Sequence, residues 1–198
     1  MERIYNTFTV SIFFNCDLEL FTATVNQIKL KKIKEGKIDV LKTMPSIRDY
    51  FDPPCGGAHF PKFSFWVNPN YDRCVFFISN YEDGLSTLCN VIHHRIRGIW
   101  VMCTFSNVLR VEYPSFKFHY SDSNYNNRDI LAYKEDRWIF YEQGTPLAFE
   151  NTDYYKNKFI KKRLNNEIIE EYLLKLGINL CDIDSEVGQC MTYVQNAW

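Results

Sequence analysis

The sequence lacks three features that would assign it to a common class at once. It has no run of 18 apolar residues, so we expect no transmembrane helix and no membrane partner. Its 23 Lys and Arg nearly balance its 24 Asp and Glu, so no global field draws it to nucleic acid. Its seven cysteines are odd in number and form no CxxC pair, which favours reduced thiols over a disulfide framework. We therefore expect a cytoplasmic protein.

Signatures of catalytic and cofactor sites are missing as well. The chain has no GxSxG or SxxK nucleophile motif, no HEXXH zinc helix and no GxxxxGK[ST] or GxGxxG phosphate loop. Cys89 and His93 share a helix face at i and i+4, but Cys89 falls on an apolar stripe, where a thiol acts as a small hydrophobe. Cys55 and His59 would need two further ligands to bind zinc. We expect no catalytic residue, no metal and no cofactor.

Apolar and aromatic residues are plentiful, at 46% and 17% of the chain, which indicates a folded core. Short runs of β-branched and aromatic residues predict strands at 62–67, 73–79, 99–105, 115–121, 128–134 and 136–142. The alternating segment 4–14 predicts a further strand, and 18–25 is interpreted as its return strand in a β-hairpin. The lysine-rich segment 29–42 predicts a solvated loop or a defended sheet edge.

Helical periodicity is clearest over 84–97, where apolar residues recur at three and four residues, Asp83 can cap the start and Gly98 can close the end. Two further helices are predicted near 154–164 and over 166–176. The side chains expected to be largely buried are Leu85, Leu88, Ile92, Trp138, Phe140, Phe149 and Leu173.

The predicted helices lie between and after the strand runs, and this order favours an α+β fold. We predict a single α+β domain over 1–198, mostly an antiparallel sheet, with two β-rich runs around the packed central helix 84–97. A C-terminal helical pair is predicted within 153–177. The tail, 181–198, has no clear pattern.

Residues 156–163 form a basic segment with interleaved aromatic residues. Its cations are Lys156, Lys158, Lys161, Lys162 and Arg163, and the neighbouring rings are Tyr154, Tyr155 and Phe159. Cations neutralise phosphates and rings stack on bases, so this segment is the best nucleic-acid candidate. The alternative is a helix in which Tyr155, Phe159 and Ile160 pack inward and the lysines are solvated. The nearly neutral chain favours this alternative.

An acidic segment follows immediately, and this charge contrast suits steering toward a charged protein partner. We predict that Glu167, Glu170 and Glu171 face the partner, with Asp182 and Asp184 as supporting charges. The alternative is a solvated helix stabilised by pairs such as Glu171 with Lys175.

The arrangement WIFYEQGTPLAFE, then Tyr155, a basic segment ending in KRLN and the run EEYLLKLGI, resembles the C-terminal end of small bacterial proteins of the toxin-immunity type. The upstream FISNYEDGLSTLC has the same character. These immunity proteins guard against contact-dependent or secreted toxins, and the similarity covers about half of the chain. It carries over no functional residue.

The resemblance implies a cytosolic bacterial binding protein that neutralises a cognate toxin by direct association and is not an enzyme. A nuclease with a basic substrate groove is one toxin that carboxylates would attract. The second hypothesis is a nucleic-acid-associated protein that uses residues 156–163, and the third is an enzyme of unassigned chemistry.

Overall fold

The computed structural model describes residues 5–54, 56–183 and 186–198, and its main feature is an antiparallel sheet of nine strands. The strands are β1 Thr7–Phe14, β2 Ile38–Leu41, β3 Lys62–Val67, β4 Cys74–Ser79, β5 Ile99–Ser106, β6 Ser115–Ser121, β7 Asn127–Lys134, β8 Trp138–Gln143 and β9 Cys190–Gln195. Their order across the sheet is β2-β9-β3-β4-β1-β5-β6-β7-β8. The α-helices are α1 Leu18–Lys34, α2 Ser86–Ile96 and α3 Asn166–Lys175.

Both faces of the sheet contribute to the core. On one face, α1 and α2 pack over β3, β4, β1 and β5, where Phe21 and Ile92 are fully buried. On the other face, α3 packs against β5 and β6, where Phe118 and Tyr172 form an edge-to-face pair. No helix of the described residues is long and apolar enough to cross a membrane.

The α+β class and the antiparallel sheet are confirmed, as are the strands predicted between 62 and 142. The helix predicted over 84–97 is α2, and Asp83 accepts hydrogen bonds from Leu85 N and Ser86 Oγ at its start. It shares its face of the sheet with α1, which the sequence analysis did not predict. Of the predicted core, Ile92 and Leu173 are fully buried. The partly buried members are Leu85, Leu88, Trp138, Phe140 and Phe149.

The prediction of an N-terminal β-hairpin is wrong, because residues 18–34 form α1 instead of a return strand and a loop. Asp17 caps the helix by accepting a hydrogen bond from Leu20 N at 2.7 Å. Phe21 and Val25, one helical turn apart, are buried against the sheet, and this packing overrides the β propensity of the segment. Three lysines occupy the last turn, where cations favourably meet the C-terminal end of the helix dipole.

The prediction of a C-terminal helical pair is also wrong in its first member. Residues 154–164 form two short 3₁₀ turns, Tyr154–Lys156 and Ile160–Lys162, separated by residues 157–159. The backbone of Asn157 (φ −59°, ψ 136°) cannot continue a helix. Tyr155 is buried as expected, whereas Phe159 is 57% exposed and does not pack inward. The second member, predicted over 166–176, is confirmed as α3.

The C-terminal tail supplies an interior strand of the sheet. β9 lies between β2 and β3 and pairs antiparallel with both. Tyr193 is fully buried, and its ring stacks on Phe63 with 5.0 Å between centroids. The tail therefore belongs to the same sheet as the N-terminal strand.

Candidate functional site

A buried ion pair organises the segment between β7 and α3. Arg128 on β7 is 2% exposed, and the side chain of Glu150 is 0% exposed. Arg128 Nε donates to both carboxylate oxygens of Glu150 at 3.0 and 3.1 Å. One terminal nitrogen donates to Glu150 and to Glu142, at 2.8 and 2.5 Å, and the other donates to the carbonyl oxygens of Gln143 and Gly144. All three guanidinium nitrogens are thus engaged within the protein.

Glu150 extends this network into the C-terminal segment. It accepts hydrogen bonds from Leu147 N at 2.9 Å and from Tyr155 Oη at 2.8 Å, and the hydroxyls of Tyr155 and Tyr172 lie 2.8 Å apart. Burial raises the pKa of Tyr172 to about 12, and burial and these hydrogen bonds raise that of Tyr155. The network therefore joins the loop 144–150, the first 3₁₀ turn and α3 into one unit, and its role is to hold that unit in place.

The start of α3 is fixed by two adjacent asparagines. Asn165 accepts a hydrogen bond from Ile168 N at 3.0 Å and caps the helix. Asn166 is buried, and its amide donates to Ser106 O at 2.9 Å and accepts from Ser106 N at 3.3 Å. These bonds attach α3 to the end of β5, so the outer face of the helix has a defined orientation relative to the sheet.

Three of the predicted partner-facing carboxylates lie on α3, and their spacing of three and four residues places them on one face with Leu174. Glu167 is exposed and Glu170 is half-buried, while Leu174 is 59% exposed. Glu171 accepts a hydrogen bond from Tyr154 Oη at 2.9 Å. The three carboxylates of α3 therefore differ in exposure, and Glu167 is the most exposed of them.

Of the two predicted supporting carboxylates, Asp182 is hydrogen-bonded within the protein. Asp182 Oδ2 accepts a hydrogen bond from Tyr71 Oη at 2.9 Å, and Asp182 O accepts one from the Asn68 amide at 2.6 Å. These bonds tie residues 180–182 to the turn between β3 and β4. Asp184, the other predicted supporting charge, lies outside the described residues.

Surface cavities flank α3 on two sides. A cleft of about 160 Å³ is lined by Glu170 and Leu174 of α3, and its other walls are Tyr5, Phe8 and residues 179–181. A wider cavity of about 450 Å³ contains Glu167, with Lys161, Lys162, Val108 and Leu109 among its other lining residues. Leu109 is 91% exposed and Val108 is 54% exposed. We define the α3 surface as Glu167, Glu170, Leu174, Val108 and Leu109.

The basic segment does not form the aromatic and cationic array that its sequence suggested. Lys156 pairs with Asp153 at 2.8 Å, and Arg163 lies over the Phe140 ring at 5.5 Å from its centroid. Tyr155 is buried, so it offers no face to a base. Phe159 is the exposed ring, with Lys162 Nζ 5.6 Å from its centroid. Nucleic-acid binding remains a prediction that this arrangement does not test.

The cysteine and histidine candidates are engaged in local structure. Burial raises the pKa of Cys16, Cys74 and Cys89 to about 12, so these thiols are poor nucleophiles. His93 Nε2 lies 3.2 Å from Gly98 O, and Cys89 Sγ donates to Gly84 O. They therefore do not form a nucleophile and base pair. Cys55, half of the zinc hypothesis, lies outside the described residues.

No family model, curated protein or solved structure matches the chain. Over the described residues the fold is of the α+β class, with a nine-stranded antiparallel sheet and the acidic helix α3 fixed over one face.

The pairing of Arg128 with Glu150 and the cavities beside α3 were not predicted from the sequence. Arg128 was predicted only as the first residue of the strand 128–134, and no role was predicted for Glu150. The available signal was the position of Arg128 in the strand: it lies on the same face as Ile130 and Ala132, the face that an alternating pattern directs inward. The cavities are built from residues far apart in the chain, so no local pattern indicates them.

Proposed function

We propose that the protein is a bacterial immunity-type inhibitor, which neutralises a protein toxin in the cytoplasm by binding it directly. The observation that carries this proposal is the α3 surface, where two carboxylates stand among exposed leucines. Protein interfaces commonly combine an apolar centre with a polar rim, and large exposed apolar side chains often mark interaction sites. Such an inhibitor needs a complementary surface and no chemistry of its own.

The chemistry of the α3 surface indicates what the partner presents. Glu167 and Glu170 favour basic side chains, and the cleft beside Leu174 has room for a single apolar side chain. Attraction between opposite charges can raise association rates to about 10⁸–10⁹ M⁻¹ s⁻¹ at low salt. A toxin whose substrate groove is basic would meet these requirements, and binding there would cover the groove.

Two further observations support the proposal. The network around Arg128 and Glu150 holds the segment that carries α3, so little ordering is required when a partner binds. The six described cysteines are free, and four of them are buried, which suits a reducing compartment.

The first test is whether the reading frame next to this one encodes a large secreted toxin, as the proposal predicts. The second test uses the C-terminal fragment of that toxin. The two proteins are co-expressed, and the complex is purified through a tag on the fragment alone. We expect co-purification from the wild type. We expect at least about a tenfold weaker affinity from Glu167→Lys with Glu170→Lys, because like charges would then face the basic partner. Glu171 is left intact, since it binds Tyr154.

The matched control is Glu19→Lys with Glu135→Lys, which changes the net charge equally at two exposed positions outside the α3 surface. It should bind like the wild type. If the fragment and the wild type do not co-purify, the immunity proposal fails. If they do and both double variants bind equally well, only the assignment to the α3 surface fails. Release of the protein from nucleic acid by salt in the same lysate would favour the second hypothesis.

A further inference from the structure

One edge of the sheet is formed by β8, whose single charged residue, Glu142, binds Arg128. β8 is the last strand in the order, and within the described residues no strand pairs with its outer side. It spans six residues, WIFYEQ, without the lysine or proline that commonly blocks strand addition. The opposite edge, β2, spans only four residues. β8 is therefore the longer of the two edges, and three of its six residues are aromatic.

The backbone groups that β8 directs outward can be assigned from its neighbours. Glu135 N donates to Arg137 O in the β7–β8 turn, and Lys134 N donates to Pro114 O on the β6 side. Hydrogen-bonded pairs alternate along an antiparallel ladder, so the odd-numbered residues of β8 bond to β7. The N–H and C=O groups of Trp138, Phe140 and Glu142 therefore point away from the sheet.

The side chains along this edge are also suited to pairing. Ile139 and Tyr141 point to the same face of the sheet as α1 and α2, next to Leu131 and Tyr133 on β7. The two helices pack over β3, β4, β1 and β5, so they leave this part of the face uncovered. Tyr141 is 49% exposed. Aromatic and β-branched residues directly opposite each other stabilise antiparallel pairs. An edge of this kind gains from a partner strand that offers the same two residue types.

β8 is held in a fixed conformation before any partner arrives. The carbonyl oxygens of Gln143, its last residue, and of Gly144 accept hydrogen bonds from Arg128. On the other face of the strand, the Phe140 ring lies under Arg163 and 5.4 Å from the ring of Tyr155. Strand addition to such a rigid edge loses little conformational entropy.

We propose that two copies of the chain pair antiparallel through β8, with Phe140 facing Phe140 of the second copy on a two-fold axis. In this register Trp138 faces Glu142, so every outward N–H and C=O of the three even-numbered residues finds a partner. On the open face, Ile139 of each copy faces Tyr141 of the other. A shift of the pairing toward the turn would place Asp136 opposite Glu142, and the repulsion of like charges disfavours it.

The first test measures mass by light scattering over a range of concentrations. We expect the wild type to have the mass of two chains. The variant Ile139→Lys with Tyr141→Lys should have the mass of one chain, because lysines would face each other across the axis. Leu41→Lys is the matched control: Leu41 is 45% exposed on the other edge strand, β2, and its replacement should leave the dimer intact.

A charge-complementing mixture separates loss of pairing from loss of folding. Ile139→Glu with Tyr141→Glu should also be a single chain, and mixing it with the lysine variant should restore the mass of two chains. Amide exchange of the wild type at Trp138, Phe140 and Glu142 should slow as concentration rises. A wild type that stays at the mass of one chain, or a dimer that survives in both charged variants, overturns the proposal. If β8 instead pairs with a strand of a different protein, the purified wild type would stay at the mass of one chain.

Discussion

At the scale of single residues, the ion pair of Arg128 and Glu150 is the centre of the network that joins β7, the loop 144–150 and α3. Glu150→Gln keeps the shape of the side chain but leaves the buried guanidinium without its main counter-charge. We expect a loss of about 3 kcal/mol or more in the free energy of unfolding, measured by urea denaturation.

Two comparison variants test the reason for that loss. Glu142 also contacts Arg128, but its side chain is 39% exposed, so Glu142→Gln should cost about 1 kcal/mol or less. The double change Arg128→Met with Glu150→Leu removes both charges and should cost less than Glu150→Gln alone. Equal losses from Glu150→Gln and Glu142→Gln would contradict the dominant role of the buried pair.

His93 gives the protein a pH dependence whose sign follows from burial. Burial lowers the pKa of His93 from its ordinary 6.5, and the nearby His94 and His119 lower it further. The folded protein therefore binds this proton less tightly than the unfolded chain does. Its stability should be complete above about pH 6.5 and should decline as the pH falls below that value.

The measurement is the urea midpoint of the wild type and of His93→Gln at about pH 7.5 and about pH 5.5. The drop between the two conditions should be smaller in the variant, because a glutamine does not titrate. An equal drop in both proteins would show that the acid sensitivity arises elsewhere.

At the scale of elements, the connection between α2 and β5 requires the small size of Gly98. The sequence predicted that Gly98 closes α2, but the helix is closed one residue earlier. Arg97 adopts the left-handed conformation that closes the helix, with φ +58°. A Cβ on Gly98 would lie 2.4 Å from Phe14 O, which belongs to the backbone of β1. Phe14 pairs with Ile99 in the sheet, so this oxygen cannot easily move away.

Gly98→Ala should therefore lower the free energy of unfolding by about 1–3 kcal/mol, whereas Arg97→Gly should lower it little or raise it by up to about 1 kcal/mol. Thermal or urea unfolding of the two variants checks both values. A harmless Gly98→Ala together with a damaging Arg97→Gly would contradict this account of the connection.

Sequence patterns predicted those elements whose local preference and tertiary environment agree. The strands between 62 and 142 combine β propensity with burial, and α2 and α3 have a clear apolar stripe. α1 was missed because residues 18–25 are rich in β formers, and only the burial of Phe21 and Val25 shows that the helix is preferred. Residues 154–164 have helical spacing, but the bonds of Tyr155 to Glu150 and Tyr172 hold a different path.

At the scale of the whole molecule, the candidate site was predictable only in part. Local spacing placed Glu167, Glu170 and Glu171 on one helical face. It did not reveal that Glu171 binds Tyr154, that Asp182 binds Tyr71, or that Leu109 and Leu174 stand exposed beside the acidic residues. Tyr71 and Asp182 are 111 residues apart in the chain, and Leu109 is also distant from α3 in sequence. Only the folded structure brings these residues together.

The most direct test of the proposed function is growth of a bacterial strain that expresses the toxin fragment from the neighbouring reading frame. The fragment alone should stop growth, and co-expression of this protein should restore it. Glu167→Lys with Glu170→Lys should fail to restore growth, although the variant folds, while Glu19→Lys with Glu135→Lys should succeed. A fragment that is harmless by itself, or one that stops growth equally with and without the wild type, would contradict the account.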